Sequence, residues 1–208
     1  MKKLAIIIFF SGIFVISGFS QTTVGLRGGL NFARLVGDDI SDDTEPITGF
    51  HGGLAVHSKI TDAFAIRTEM LISQKGIKSG DKDNGSVFSL FYLDVPVMPK
   101  VSFGSDNFRG NLSAGPFGGV MIFGNDIVYF NGDKNIEPID FTSSLYNFVD
   151  YGAIGSIGLE YHFGDDMQIF ADFRYQMGFA DVYQQSDGNV FDLSANHRIM
   201  QVSAGMIF

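Results

Sequence analysis

Apolar and polar residues alternate with a period of two along most of the chain after residue 20. Successive side chains of a β-strand point to opposite faces, so this period indicates strands that each have one apolar and one polar face. The end of the chain shows it plainly, because Met200, Val202, Ala204, Met206 and Phe208 occupy every second position. Eight segments have this pattern, and they are residues 22–35, 48–60, 63–77, 88–102, 108–123, 147–163, 167–181 and 195–208.

The connections between these segments alternate between long and short. They are residues 36–47, 61–62, 78–87, 103–107, 124–146, 164–166 and 182–194. Bacterial transmembrane barrels have this arrangement, with tight turns at one end and extended loops at the other. An even number of strands also places both ends of the barrel segment at the short-turn end. The pattern predicts an all-β fold, an eight-stranded antiparallel up-and-down β-barrel.

The aromatic residues indicate which face of this barrel contacts lipid. A soluble barrel is apolar inside, whereas a membrane barrel is apolar outside and has an aromatic girdle at each interface. With the apolar face outward, aromatic residues gather at both ends of the strands. Those at the long-loop ends are Phe32, Phe50, Phe91, Tyr151 and Phe179, and those at the short-turn ends are Phe64, Phe103, Phe108, Tyr161, Phe163 and Phe208. We therefore predict a transmembrane barrel in the bacterial outer membrane, and a soluble barrel is the alternative.

The first residues have the features of an export signal. The stretch "MKKLAIIIFFSGIFVISGFSQ" has two lysines, an apolar run from Leu4 to Ile16, and small residues at Gly18 and Ser20. We expect a signal peptide over residues 1–20 and a barrel domain over residues 21–208. The alternative is an uncleaved anchor, but the apolar run is shorter than the ~20 residues of a spanning helix.

Composition excludes several functions. The chain has no cysteine, which excludes a disulfide framework and a thiolate metal site. Its formal net charge of −9 argues against a nucleic-acid surface. All four histidines, His51, His57, His162 and His197, fall on the polar face, and the acidic loop "GDDISDDTEPI" is interpreted as a solvated turn. We therefore expect no catalytic residues, no metal and no cofactor.

The chain resembles a known family in five stretches. The ending "VSAGMIF" looks like the terminal signal that assembly machinery reads in bacterial outer-membrane barrels. The stretches "TTVGLRGGLNFARL", "FYLDVPVMPKVSF", "NLSAGPFGGVMI" and "YGAIGSIGLEYHF" are similar to the PorT-like outer-membrane β-barrel domain family of Bacteroidetes, often described as porin family proteins. The resemblance implies a barrel and its compartment, without an enzymatic activity. It also implies that Phe208, Met206 and Val202 form a barrel-closing terminal signal.

The polar face carries charges of both signs. In a barrel of eight strands the interior is just wide enough for side chains, so such charges must pair with one another. We predict a packed interior charge network, and a proton or ion path is the alternative interpretation of the same residues. Its members are Arg27, Arg67, Glu69, Asp94, Glu160, Asp172 and Arg174.

Two arginines depart from the alternation. Arg34 and Arg198 lie on the apolar face, near the long-loop ends of the first and last strands, which are neighbours in a closed barrel. We expect them near each other at the outer rim, where they either extend into water or bind a phosphate of lipopolysaccharide.

The predicted function is a structural or surface-binding role through the extracellular loops. The alternative, which rests on the resemblance, is a porin-like transport or PorT-like protein-secretion component. The expected partners are outer-membrane lipid, lipopolysaccharide and the barrel assembly machinery, and the surface ligand is unknown.

Overall fold

The computed structural model describes residues 21–37, 44–80, 83–131, 133–139, 147–163, 167–182 and 195–208. Within these residues there are nine strands: β1 (Gln21–Val36), β2 (Thr44–Lys59), β3 (Phe64–Gly80), β4 (Asn84–Gly104), β5 (Phe108–Phe130), β6 (Asp133–Pro138), β7 (Val149–Phe163), β8 (Met167–Gly178) and β9 (Asn196–Ile207). No helix in this part of the chain is long and apolar enough to cross a membrane. The predicted signal peptide, residues 1–20, and residues 38–43 of the acidic loop lie outside the described residues.

The sheet closes on itself through its first and last strands. β1 pairs antiparallel with β2 on one side and with β9 on the other. At the end of this seam the amide of Phe208 donates to the carbonyl of Val24 at 2.9 Å. Each remaining strand pairs antiparallel with its neighbour in the order β2, β3, β4, β5, β7, β8, β9. The described strands other than β6 therefore form a closed eight-stranded antiparallel barrel, which confirms the predicted fold class.

The barrel is apolar on its outer surface and polar inside. Outward residues such as Leu26 and Phe50 are 57% and 54% exposed, whereas the inward Lys75 and Arg174 are fully buried. Most of the predicted girdle residues lie at or near the strand ends, and Phe208 is 59% exposed at the short-turn end. Phe50 and Phe91 instead lie in the interior of β2 and β4, because both strands begin earlier than the sequence pattern predicted. This distribution is inverted relative to a soluble barrel, so the outer surface suits a hydrocarbon environment.

Four strands, β2 to β5, extend several residues further than the sequence pattern predicts. Residues 78–87 were predicted to connect two strands, but β3 continues to Gly80 and β4 begins at Asn84. Gly80, the last residue of β3, has a φ of 74°, which glycine adopts without steric cost. The predicted loop 124–146 contains the outer part of β5 and all of β6.

A β-bulge explains why β5 was predicted to end too early. Phe91 pairs with Phe123, but the next residue of β4, Tyr92, pairs with Met121. Ile122 is therefore an extra residue in β5, and both Ile122 and Phe123 are exposed on the outer surface. Beyond the bulge the residues still alternate, but the positions that faced inward before it now face outward. A search for a strict period of two therefore ends the strand at the bulge.

The prolines of β4 and β5 lie beside an interruption of the ladder between these strands. Pro96 pairs with Phe117, and regular pairing resumes only at Lys100 and Ser113. Pro99 and Pro116 lie in the unpaired stretch between these points. Because proline has no amide proton to donate, it fits a local defect in strand pairing better than a regular ladder.

Apolar side chains close the interior at the loop end. This apolar cap consists of Leu35, Leu90, Tyr92, Met121, Ile139, Val182 and Ala195, all of which are buried. Its members come from strands and from loop residues folded back onto the barrel. The amide of Ile139 donates to the carbonyl of Gly124 at 3.0 Å, and that of Val182 donates to Ala195 at 2.9 Å.

We predict that deleting Phe208, or replacing it with Asp, blocks membrane assembly. The deletion removes the last backbone bonds of the seam between β1 and β9, and Asp places a charge in the aromatic girdle. The measurement is the fraction of heat-modifiable, folded protein in outer-membrane preparations, with Phe208→Tyr as the control that keeps an aromatic ring. Normal levels of folded protein in the deletion variant would contradict the prediction.

Candidate functional site

Five charged side chains meet in the middle of the barrel, and we name them the central cluster: Arg27, Arg67, Glu69, Asp172 and Arg174. Glu69 accepts two hydrogen bonds from Arg174, both at 2.6 Å, and one from Arg27 at 3.2 Å. Asp172 accepts from Arg27 and, at 3.0 Å, from Arg67. Each carboxylate therefore binds at least two guanidinium groups, and the cluster joins β1, β3 and β8.

A second group of charges lies nearer the loop end, and we name it the outer cluster: Lys75, Asp94 and Asp150. The Lys75 ammonium donates to Asp94 at 2.9 Å and to Asp150 at 2.7 Å. It also lies 4.5 Å from the ring centroid of Tyr92 and 5.1 Å from that of Phe117, which are cation–π distances. The ammonium is thus enclosed by carboxylates and ring faces, directly beneath the apolar cap.

A third pair lies toward the short-turn end. The Lys100 ammonium donates to Glu160 at 2.5 Å, and the hydroxyl of Ser102 donates to the other oxygen of the same carboxylate at 2.8 Å. Lys100 and Glu160 are both buried. Below them the barrel opens into a cavity of about 810 Å³ at the short-turn end.

These contacts place all seven residues of the predicted charge network inside the barrel. The structure divides them among three groups and adds Lys75, Lys100 and Asp150 as their partners. Across the three groups there are five cations and five carboxylates, so the opposite charges balance. A filled and neutral interior is what an eight-stranded barrel needs if its charges are to tolerate burial.

A hydrogen-bonded bridge across the closing seam was not anticipated from the sequence. His51 on β2 contacts the side-chain oxygen of Asn31 through Nδ1 at 2.7 Å and the hydroxyl of Ser203 on β9 through Nε2 at 2.9 Å. β1 lies between these two strands, and its Gly29 makes room for the ring. A Cβ at Gly29 would lie 2.8 Å from the ring of His51 and 2.1 Å from the carbonyl oxygen of Val202.

The bridge resembles the nucleophile, base and orienting group of a catalytic triad. Its three side chains, Ser203, His51 and Asn31, are at most 3% exposed. Asn31 also donates to Ser73 at 3.0 Å and to the carbonyl of Gln74 at 2.9 Å. These contacts describe a buried link among β1, β2, β3 and β9. Two features of the sequence could have indicated this link. His51 lies on the polar, inward face of its strand, and a glycine, Gly29, lies on the neighbouring strand.

The two arginines at the outer rim face each other across the closing seam. Arg34 and Arg198 are direct register partners in the pairing of β1 with β9. Arg34 is exposed and Arg198 is partly buried. The guanidinium of Arg198 donates to the carbonyl of Gly178 at 2.6 Å and to that of His197 at 3.0 Å. Backbone carbonyls thus hold one of the two cations in place.

The residues of the predicted terminal signal lie on the outer surface of β9 and at its end. Val202, Met206 and Phe208 are all exposed there. Val202 pairs with Leu30 and Met206 pairs with Leu26, both on β1. The apolar stripe of the last strand therefore continues onto the first strand.

Comparison with known proteins places this barrel among outer-membrane proteins. Residues 19–184 match the model of the family described as outer membrane protein beta-barrel domain. No curated protein matches the chain. The fold is similar to that of Neisserial surface protein A, with a TM-score of 0.51 and 12% sequence identity over 90% of this chain and 98% of that one.

Two further solved structures have a lower similarity. OprG, an outer membrane protein from Pseudomonas aeruginosa, has a TM-score of 0.48 and 10% identity over 92% of this chain and 98% of its own. Ail, the attachment invasion locus protein of Yersinia pestis, has a TM-score of 0.44 and 11% identity over 90% of this chain and 97% of its own.

We predict that Glu69→Gln strongly destabilises the barrel. The substitution leaves Arg27 and Arg174 buried without one of the two carboxylates that they share, and breaking a buried ion pair costs ~3–5 kcal/mol. The measurement is the free energy of unfolding in urea with lipid vesicles. The control is Glu45→Gln, which removes the carboxylate of an exposed pair with Lys78, where we expect a change below about 1 kcal/mol. An equal decrease in the free energy of unfolding in both variants would show that the central cluster stabilises the barrel no more than an exposed ion pair does.

Proposed function

The chain belongs to the outer membrane protein beta-barrel domain family and lies in the bacterial outer membrane, and on this basis we propose that it has a structural or surface-binding role. Tight turns face the periplasm in such barrels and longer loops face the exterior. The short-turn end, with Phe208, is accordingly periplasmic, and the end closed by the apolar cap is extracellular. The proposed binding role belongs to this extracellular end.

The buried and mutually paired charges in the middle of the barrel are the observation that carries this proposal. A channel needs a continuous path for water, whereas here the charges of the central and outer clusters bind one another. Arg67, Lys75 and Arg174 are each at most 1% exposed. The apolar cap lies above them and adds a layer without charge. A barrel with this interior supports a function at its surface better than transport through its lumen.

The extracellular end also offers a surface for contacts. β5 has 23 residues, more than twice the ~9–11 that cross a membrane, so its outer part and the paired β6 project beyond the lipid. Val128, Phe130 and Ile136 on this hairpin are 41%, 69% and 51% exposed. Exposed apolar side chains on a projecting hairpin are typical of a surface that binds another molecule.

We further propose that Arg34 and Arg198 bind a phosphate of lipopolysaccharide. The two residues are register partners near the outer interface, where an arginine on the lipid face costs only about 0–1 kcal/mol. Guanidinium groups present paired donors that suit phosphate oxygens. Phe50, Phe91 and Phe123 form an aromatic row at the same end, with centroid distances of 5.8 and 4.1 Å between neighbours, and acyl chains can lie against such a row.

A transport or protein-secretion role, porin-like or PorT-like as in the Bacteroidetes proteins that the sequence resembles, is the second candidate. The observation that favours it is the cavity of about 810 Å³, which opens toward the periplasm and reaches the pair of Lys100 and Glu160. For transport this cavity would have to continue through both charge clusters and the apolar cap. An enzymatic role ranks third, because the side chains of the Ser203 bridge are buried.

We predict that the purified barrel shows no stable ohmic conductance in planar lipid bilayers. Within the described residues, paired charges and the apolar cap occupy the positions through which a water path for ions would have to pass. The measurement is single-channel recording of the wild-type chain beside an open porin as a positive control. Reproducible conductance steps that change in Arg67→Gln or Glu69→Gln would favour the transport role instead.

We predict that the double variant Arg34→Gln, Arg198→Gln retains less lipopolysaccharide than the wild-type chain. Loss of both guanidinium groups removes the proposed phosphate donors, while folding stays intact because neither residue belongs to the charge clusters. The measurement is lipopolysaccharide per folded barrel after purification, with Lys78→Gln as a control for an exposed cation at the same end. Unchanged retention in the double variant would mean that the arginines only extend into water.

A further inference from the structure

The cavity at the periplasmic mouth is lined mainly by polar side chains. Residues of all eight barrel strands and of two turns line it, and the polar ones include Thr23, His57, Arg109, Glu160 and Gln168. Its volume of about 810 Å³ lies within the range of sites for small ligands, which is about 300–1,000 Å³. The inner part is formed by buried side chains, and the rim is formed by exposed ones. We name this cavity the vestibule.

A buried hydrogen-bond donor without an acceptor lies at the floor of the vestibule, on the lining residue His57. The side-chain amide of Gln168 donates to Nδ1 of His57 at 3.1 Å. Because Nδ1 accepts this bond, the proton of the neutral imidazole is on Nε2. That nitrogen has no hydrogen-bond partner among the described residues, and His57 is only 7% exposed. A buried donor left in this state favours a ligand that supplies an oxygen atom.

The rim presents one cation that is held in place but not neutralised. The guanidinium of Arg109 donates to the carbonyl of Asp62 at 2.7 Å and to that of Ser105 at 3.3 Å. Within the described residues no carboxylate lies within ion-pairing distance of it. Two of its five donors are used to fix its position, and the remaining ones are available to an anion.

The second cation of the rim, the exposed Lys59, differs from the partly buried Arg109 in this respect. The ammonium of Lys59 binds the carboxylate of Asp62 at 2.8 Å, and this bond lowers the pKa of the Asp62 carboxyl. The deeper cation, Lys100, is bound to Glu160. Arg109 is therefore the cation of the vestibule with a free charge, and Lys59 is a natural control for it.

From these contacts we propose that the vestibule binds a periplasmic ligand that carries a carboxylate. The carboxylate binds the guanidinium of Arg109 at the rim, and a carbonyl or hydroxyl oxygen in the body of the ligand accepts from Nε2 of His57 at the floor. Peptides with a free C-terminus and acidic sugars both have this chemistry, and both kinds of group occur in cell-wall material. The site lies at the opposite end of the barrel from the proposed surface function and is independent of it.

The experiment compares acid and neutral members of two matched ligand pairs. The first pair is the tripeptide Ala-Ala-Ala and its C-terminal amide, and the second is N-acetylmuramate and N-acetylglucosamine. Each is titrated into the full folded barrel in detergent micelles, and binding is followed by ligand-observed NMR and calorimetry. We expect binding of the acid in at least one pair and much weaker binding of its neutral partner. The pair that responds identifies the source of the carboxylate.

Two variants test the assigned residues. Arg109→Gln removes the free charge, and we expect it to weaken binding of the acid ligand on the order of tenfold or more. Lys59→Gln removes an equally peripheral charge that already has a partner, and we expect little change. His57→Phe keeps a ring but removes the donor, and we expect weaker binding with an unchanged heat-modifiable fold.

Three results would overturn the proposal. The first is equal binding of acid and neutral members in both pairs, or no binding by any of them. The second is unchanged affinity in Arg109→Gln. The third is an equal loss in Arg109→Gln and Lys59→Gln, which would show a general effect of positive charge at the mouth. Because Arg109 lies on the rim and outside the charge clusters, its variant remains informative even where His57→Phe fails to fold.

Discussion

The barrel depends on the neutralisation of charge in a space that neither water nor lipid can reach. An isolated guanidinium or carboxylate in such a space is strongly unfavourable, and it becomes tolerable only when a partner supplies both charge and hydrogen bonds. The central cluster has three cations and two carboxylates, whereas the outer cluster has one cation and two carboxylates. Each cluster therefore carries a surplus that the other offsets. The interior behaves as one electrostatic unit along the barrel axis, and a change in one cluster alters the environment of the next.

The same contacts also hold the sheet in its closed form. Arg27 on β1 reaches Asp172 on β8 past the intervening strand β9, and His51 on β2 reaches Ser203 on β9 over the glycine between them. Backbone pairing alone would fix each strand to its two neighbours. The side-chain contacts add links between strands that are not adjacent, so they oppose sliding of one strand along another. Register and interior pairing are consequently determined together.

Much of the fold could be predicted from the sequence because alternation is a local property. The residues next to Arg27, Glu69 and Arg174 in the chain are enough to show that these three side chains face inward. The same holds for the outward position of Phe208. Which arginine binds which carboxylate depends on the stagger between strands, which no single segment contains. The outer part of β5 was missed because the extra residue Ile122 reverses the phase of the pattern. The bridge through His51 was missed because it requires three strands and a glycine that are far apart in sequence. Arg109 keeps a free charge because backbone carbonyls in two turns, rather than a carboxylate, accept its hydrogen bonds. A pattern of side chains in the sequence does not show such contacts.

The contact between Arg27 and Asp172 has a consequence for how this barrel enters the membrane. The two residues are separated by 145 positions, so their pairing must wait until nearly the whole chain is present. Before that moment the strands that supply the charge clusters carry charges on one face without all of their partners, and a lone strand with such a face cannot rest in hydrocarbon. Insertion one strand after another would therefore leave charges uncompensated at every intermediate stage. The chain is expected to enter the bilayer in a concerted manner, with passage into lipid and closure of the ring occurring together. Such dependence on contacts distant in sequence is typical of slow folding.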